Sequence, residues 1–195
     1  MKKIKLFICK SLFIGSPLLI LIILYIIKDP FKVIYHYDSY YKSGKPNYIM
    51  INRDFVSFET FCNNYPESKF DSYIFGNSRS IFYQISDWQK YIGSRHCYHF
   101  DASDESLYGI NIKIKYLFDH KIPIKNSLII LDFNTLKETK NHTGHLFLKH
   151  PSLTKQNYFL FQLEYFRTFI DKNFLTAYID FIFNTKVTSV AFRIN

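Results

Sequence analysis

Three strand-length runs, Ser72–Phe75, Cys97–Phe100 and Ser127–Leu131, alternate with two amphipathic stretches, Ser78–Ile92 and Leu107–His120. Apolar residues recur at helical spacing in both stretches: Ile81, Phe82, Ile85 and Trp88 in the first, Leu107, Ile110, Ile114 and Leu117 in the second. Strand–helix–strand–helix–strand predicts an α/β fold with a parallel sheet in a three-layer α/β/α arrangement. The unbroken Leu-Ile-Ile-Leu of the third run reads as the most deeply buried strand. Sheets of this kind carry their sites beyond the carboxyl ends of the strands.

Ahead of this pattern lies a long apolar run. Lys2, Lys3, Lys5 and Lys10 flank Ser11–Ile27, Leu6 to Ile8 extend it upstream, and Lys28-Asp29-Pro30 closes it. About 20 apolar residues span a bilayer core, and residues 6–27 reach that length if Lys10 snorkels. Tyr25-Ile26-Ile27-Lys28 offers no small-x-small cleavage site, so the run reads as an uncleaved signal anchor. The basic flank predicts a cytoplasmic N-terminus and an extracytoplasmic body held at a bacterial cytoplasmic membrane. The domain plan is then 1–28 flank and anchor, 29–69 juxtamembrane segment, and 70–195 α/β domain. Tyr35, Tyr37, Tyr40 and Tyr41 suit a membrane interface or a plain linker equally, and a short helix is expected over Asp54–Cys62. From Asn157 to Phe183 the chain reads as helical and aromatic, suited to docking a membrane-protein partner.

The formal charge of +9 raises nucleic acid as a partner, but Lys and Arg are scattered after the first ten residues and build no basic face. Nucleic acid is therefore excluded as the expected partner. Cys62 and Cys97 form the one pair available for an exported disulfide, and both also suit small buried apolar positions.

Three junctions at strand ends carry the chemistry. Gly76-Asn77-Ser78 follows the first strand, Asp101-Ala102-Ser103 the second, and Asp132-Phe133-Asn134 the third. A serine at a helix start has backbone N–H groups close by, which suits a nucleophile facing a developing oxyanion. Gly-Asn-Ser is also an ordinary strand–turn–cap sequence, with Asn77 or Ser78 as the cap. Arg79 stands either at the mouth of a site for an anionic substrate or on open surface. His142, His145 and His150 cluster in a loop marked by Gly144 and Pro151, and a loop after the third strand can fold over the site and supply one of them as a base; no metal and no cofactor is expected. In His96-Cys97-Tyr98-His99, alternation puts His96 with Tyr98 and Cys97 with His99, and a structural role is expected there.

The order of these junctions resembles the SGNH (GDSL-type) hydrolase family, in its membrane-anchored bacterial branch similar to cell-envelope O-acyltransferases. The resemblance covers residues 70–135. It implies Ser78 as nucleophile, Ala102 as a backbone oxyanion donor and Asn134 as a side-chain oxyanion donor, with an envelope polysaccharide or other ester as substrate. The second block lacks its glycine, and the third lacks its Gly and following Asp. The family's base, a histidine in Asp-x-x-His, has no counterpart after residue 134, where Asp171 and Asp180 are followed three places on by Phe174 and Phe183. The expectation is an SGNH-like esterase or acyltransferase front half that is inactive as it stands. The alternative is a non-catalytic, membrane-tethered accessory module of an envelope complex.

Overall fold

The computed structural model describes residues 2–41 and 49–183, with the side chains of residues 2, 3, 5–9, 11 and 12 left undescribed. Its secondary structure is α/β. The helices are α1 (Lys2–Lys28), α2 (Arg53–Ser68), α3 (Ile85–Ile92), α4 (Leu107–Asp119), α5 (Phe133–Lys137), α6 (Pro151–Thr154), α7 (Tyr158–Phe169) and α8 (Lys172–Phe183). The strands are β1 (Ser72–Gly76), β2 (Cys97–Asp101) and β3 (Asn126–Ile129), and a 3-10 helix covers Ser78–Phe82. The chain divides into two compact units. Of the described residues, one comprises 2–41 and 49 together with 162–183, and the other is Met50–Phe161.

The Met50–Phe161 unit contains the sheet, with all three strands parallel in the order β2-β1-β3. Tyr73 and Phe75 of β1 share a face with Phe100 of β2 and pack against Phe58 and Phe61 of α2 and Ile110 and Leu117 of α4. Ser72, Ile74 and Gly76 alternate onto the other face, in register with Cys97, His99 and Asp101 of β2. α2 is longer than the short helix expected: Asn52 caps its start, its Oδ1 accepting from the Phe55 N–H at 3.1 Å, and the helix runs on to Ser68, where Lys69 in the left-handed conformation closes it. The Asn52 amide also donates to the carbonyls of His145 and Leu148, tying the 138–150 loop to the start of α2.

Two expectations are corrected within this unit. Ser78–Ile92 is not one helix: Tyr83 and Gln84 are extended, and they separate the 3-10 turn from α3. β3 is not the most buried strand. It lies at the edge, with Ile129 41 % and Leu131 47 % exposed, whereas every residue of the central β1 is buried. Apolar composition alone does not tell an edge from a centre; strand order does.

The other unit is built around aromatic rings. Phe31 lies 5.4 Å from Tyr165 and 4.9 Å from Phe174, and Tyr25 sits 5.4 Å from Phe166. Asp29 ends α1 and is buried, its carboxylate accepting from the N–H groups of Val33, Ile34 and Tyr35 and from the Tyr37 hydroxyl. Much of the described α1 surface is exposed and apolar, including Phe13, Ile14, Leu18, Ile20 and Ile27. Among the described residues no helix is long and apolar enough to cross a membrane. Of the expected span over 6–27, the side chains of residues 6–9, 11 and 12 lie outside the described residues.

Candidate functional site

β1 ends on Gly76 because the next turn folds straight back over it. A Cβ at Gly76 would stand 2.7 Å from Ser80 Cβ and 3.0 Å from Ile130 Cβ, closer than packed carbons come. The turn is capped by Asn77, whose Oδ1 accepts from the Arg79 N–H at 3.0 Å while its carbonyl accepts from the Ser80 N–H at 2.8 Å. Asn77 is thus the cap, and Ser78 stays exposed at the head of the 3-10 helix. The expectation that the next N–H groups serve an oxyanion is corrected: those of Arg79 and Ser80 are taken up by Asn77.

A polar network ties this turn to the end of β3. The Asn77 amide donates to Asp132 Oδ2 at 2.7 Å and to Thr135 Oγ1 at 3.1 Å. Asp132 in turn caps α5 through the Thr135 N–H at 2.8 Å and pairs with Arg79 at 3.0 Å. The Thr135 N–H and then the Asn77 amide hold the Asp132 carboxyl down to about 2. Arg79 is therefore an exposed side chain in an ion pair. Asn134 is exposed on the first turn of α5, one residue before Thr135, so the Ser78 and Asn134 segments are linked through their neighbours.

Ala102 is placed differently. It follows β2 directly and is wholly buried, and the end of β2 meets the end of β1 through the Gly76–Asp101 register. Asp101 is fixed by Arg53 of α2, whose Nε donates to its Oδ2 at 2.8 Å. All three predicted residues stand at carboxyl ends of adjacent strands. β1 lies between β2 and β3, so the chain reverses direction across it, and such a reversal is where α/β sheets open a crevice.

The three loop histidines are engaged elsewhere. His150 caps α6, with Nδ1 accepting from the Ser152 N–H at 3.1 Å, so Nε2 carries the proton that it shares with Glu59 at 3.0 Å. His142 faces Asp104 at 3.5 Å, and burial pushes the His145 pKa down to about 4. Cys62 and Cys97 are both free thiols. Among the described residues no group of three His, Cys, Asp or Glu side chains is arranged to hold a metal ion.

The structure also shows a pair that the sequence reading left out. Ser80 Oγ lies 2.8 Å from His99 Nε2 and 2.7 Å from the Asn77 carbonyl, and Ser80 is completely buried. Burial lowers the His99 pKa against the opposing pull of Asp101, so its imidazole is neutral at pH 7. The period-2 pattern does put His99 on the face opposite Phe100. Nothing in the sequence says that a turn four residues past Gly76 covers that face. Asp54, Glu105, Lys113 and Lys149 form a second unforeseen cluster, each at most 4 % exposed. No family model, curated protein or solved structure matches the chain.

Proposed function

We propose that the chain is a membrane-anchored, extracytoplasmic SGNH-type ester hydrolase or O-acyltransferase with Ser78 as nucleophile, acting on an ester of the cell envelope. The observation that supports this reading is that Gly76-Asn77-Ser78, Ala102 and Asn134 each follow the carboxyl end of one of three adjacent parallel strands. Ser78 is exposed on a turn whose neighbours on both sides are hydrogen-bonded, which suits a hydroxyl meant to meet a substrate. The Ala102 N–H and the Asn134 amide are the oxyanion donors in this reading. Using the buried Ala102 donor requires the segment after β2 to open.

Labelling is the fitting readout, because no histidine stands against Ser78 among the described residues and turnover is expected to be slow. A fluorophosphonate should label the intact protein, and Ser78→Ala should abolish the label. A folded sample that takes up none would sink the assignment. Anchoring through residues 6–27 draws on the exposed apolar side chains from Phe13 to Ile27. The chain is expected to stay in the membrane pellet through an alkaline carbonate wash.

A second reading, a tethered module that docks a partner, is favoured by one observation. Phe82 is 83 % and Phe133 68 % exposed, on the segments that follow β1 and β3. It predicts a folded, probe-silent protein in which Phe82→Ser and Phe133→Ser leave stability unchanged and abolish co-purification with an envelope complex.

A further inference from the structure

The 3-10 helix that carries Ser78 has almost no apolar anchor. Ile81 is 45 %, Phe82 83 % and Tyr83 49 % exposed, and Ser80 is the buried residue of the helix. A five-residue helix with its apolar side chains in solvent has little burial to hold it down. What holds it is a set of hydrogen bonds reaching β2 and the start of α5 beyond β3.

The protons in that set can be assigned. The Ser80 hydroxyl has one hydrogen and two neighbours, the Asn77 carbonyl at 2.7 Å and His99 Nε2 at 2.8 Å. The carbonyl only accepts, so a hydrogen given to it leaves His99 as the donor to Ser80 Oγ. With that direction both contacts are hydrogen bonds; in the reverse, the Ser80 proton goes to His99 and the Asn77 carbonyl keeps only the Ser80 N–H.

We propose that Ser80 and His99 are positioning residues for the Ser78 hydroxyl: a half-buried chain from His99 Nε2–H to Ser80 Oγ–H to the Asn77 carbonyl clamps the Ser78 turn onto β1 and β2. This rests on Ser78 being the nucleophile. Asn77 is the hub. Its carbonyl takes the Ser80 proton, its Oδ1 the Arg79 N–H, and its amide reaches Asp132 and Thr135. Ser78 sits between Asn77 and Arg79, so its backbone is held from both sides. Gly76 makes the clamp possible, since any side chain there would displace Ser80. His99 touches no reacting atom; it acts through Ser80 on the geometry of Ser78.

The test uses the full chain in detergent and the rate of fluorophosphonate labelling at Ser78. Ser80→Ala and His99→Leu are expected to slow labelling about 10-fold to 100-fold, the effect of misplacing a reacting group by about 1 Å. His99→Gln, whose amide N–H reaches the former Nε2 position, should return the rate to within about threefold of wild type. The double variant should be no slower than the slower single one, because both remove the same chain. Both single variants labelling at the wild-type rate would overturn the positioning role while leaving Ser78 as the nucleophile. A wild-type protein that carries no Ser78-dependent label overturns the nucleophile assignment and this role with it. If the variants fail to fold, imidazole nitrogen NMR of the wild type decides. A neutral His99 protonated on Nε2 is expected, and a proton on Nδ1 would refute the chain.

Discussion

Gly76 is the residue on which the site turns. Its missing side chain lets Ser80 pack onto the end of β1, and a Cβ there would meet Ser80 Cβ at 2.7 Å and Ile130 Cβ at 3.0 Å. Neither neighbour is free to give: Ser80 is held by Asn77 and His99, and the Ile130 N–H donates to the Phe75 carbonyl at 2.8 Å. Gly76→Ala is expected to cost about 1–3 kcal/mol, the range for overpacking a filled interior, read as a lowered urea midpoint with unchanged slope. Labelling at Ser78 should fall with it. A variant as stable as wild type would mean that the turn can lift off β1 at no cost. The Gly-Asn-Ser signature itself was legible, because a small residue, an Asx cap and a hydroxyl in sequence mark a strand-to-turn junction. The Ser80–His99 pair was not, since it joins residues 19 apart whose meeting depends on the parallel register of β1 and β2.

At the scale of elements, α2, α4 and the loop before α6 are joined by charge rather than by apolar packing alone. Lys113 reaches Asp54 at 2.8 Å and also Glu105; Lys149 reaches Glu105 at 2.6 Å and also Asp54. Two ammonium and two carboxylate groups alternate, so the cluster is formally neutral. Burial opposes the charge on Lys113, but Asp54 and Glu105 outweigh it and hold the ammonium protonated above its usual range. Gly109 leaves the room, because a Cβ there would lie 1.9 Å from Glu105 Oε1. Lys113→Met leaves two buried carboxylates sharing the single ammonium of Lys149 and is expected to cost about 3–5 kcal/mol, whereas replacing all four charges by apolar residues of matching volume should be neutral or stabilising. Thermal melts of the two variants distinguish these outcomes, and a quadruple variant less stable than Lys113→Met would contradict the account. Edge exposure gives a second prediction. Leu131, just past the end of the edge strand β3, is exposed, so Leu131→Lys should change stability by less than about 0.5 kcal/mol. A fall of 2 kcal/mol or more would show Leu131 buried against something. The β–α alternation was legible from hydrophobic period, and the β3 edge was not, because apolar runs look alike whether they end up central or lateral. The salt-bridge cluster was hidden for a related reason. Its four members are spread from residue 54 to residue 149 and look like ordinary surface charges.

For the whole molecule, the sequence showed an apolar start, an α/β middle and an aromatic helical end. It did not show that the aromatic end shares a compact unit with the N-terminal residues, while α2 belongs with the sheet. That grouping depends on contacts between residues more than a hundred positions apart, such as Tyr25 with Gln162. The sheet unit should set the molecule's response to acid, because its perturbed groups point one way. His145 is buried and neutral, its pKa depressed from 6.5 to about 4, and His99 is depressed by burial as well. An unfolded chain protonates both imidazoles near 6.5 while the folded one does not. The unfolded state therefore binds more protons between pH 6.5 and about 4, and stability falls as pH drops through that window. The slope is up to about 1.4 kcal/mol per pH unit for each such histidine. Asp132 adds a separate stage: its carboxyl is depressed from 3.8 to about 2, so its contribution is whole above 3.8 and is lost as pH falls toward 2. Urea unfolding followed from pH 8 to pH 2 should show both stages. His145→Leu should shrink the upper one to the part His99 contributes while leaving the lower intact, and Asp132→Asn should shrink the lower, where the depressed Asp54 and Asp71 also contribute, while leaving the upper intact. Stability that stays level from pH 6.5 to 4 in the wild type would mean that both imidazoles titrate freely, and a buried, neutral His99 would no longer be tenable.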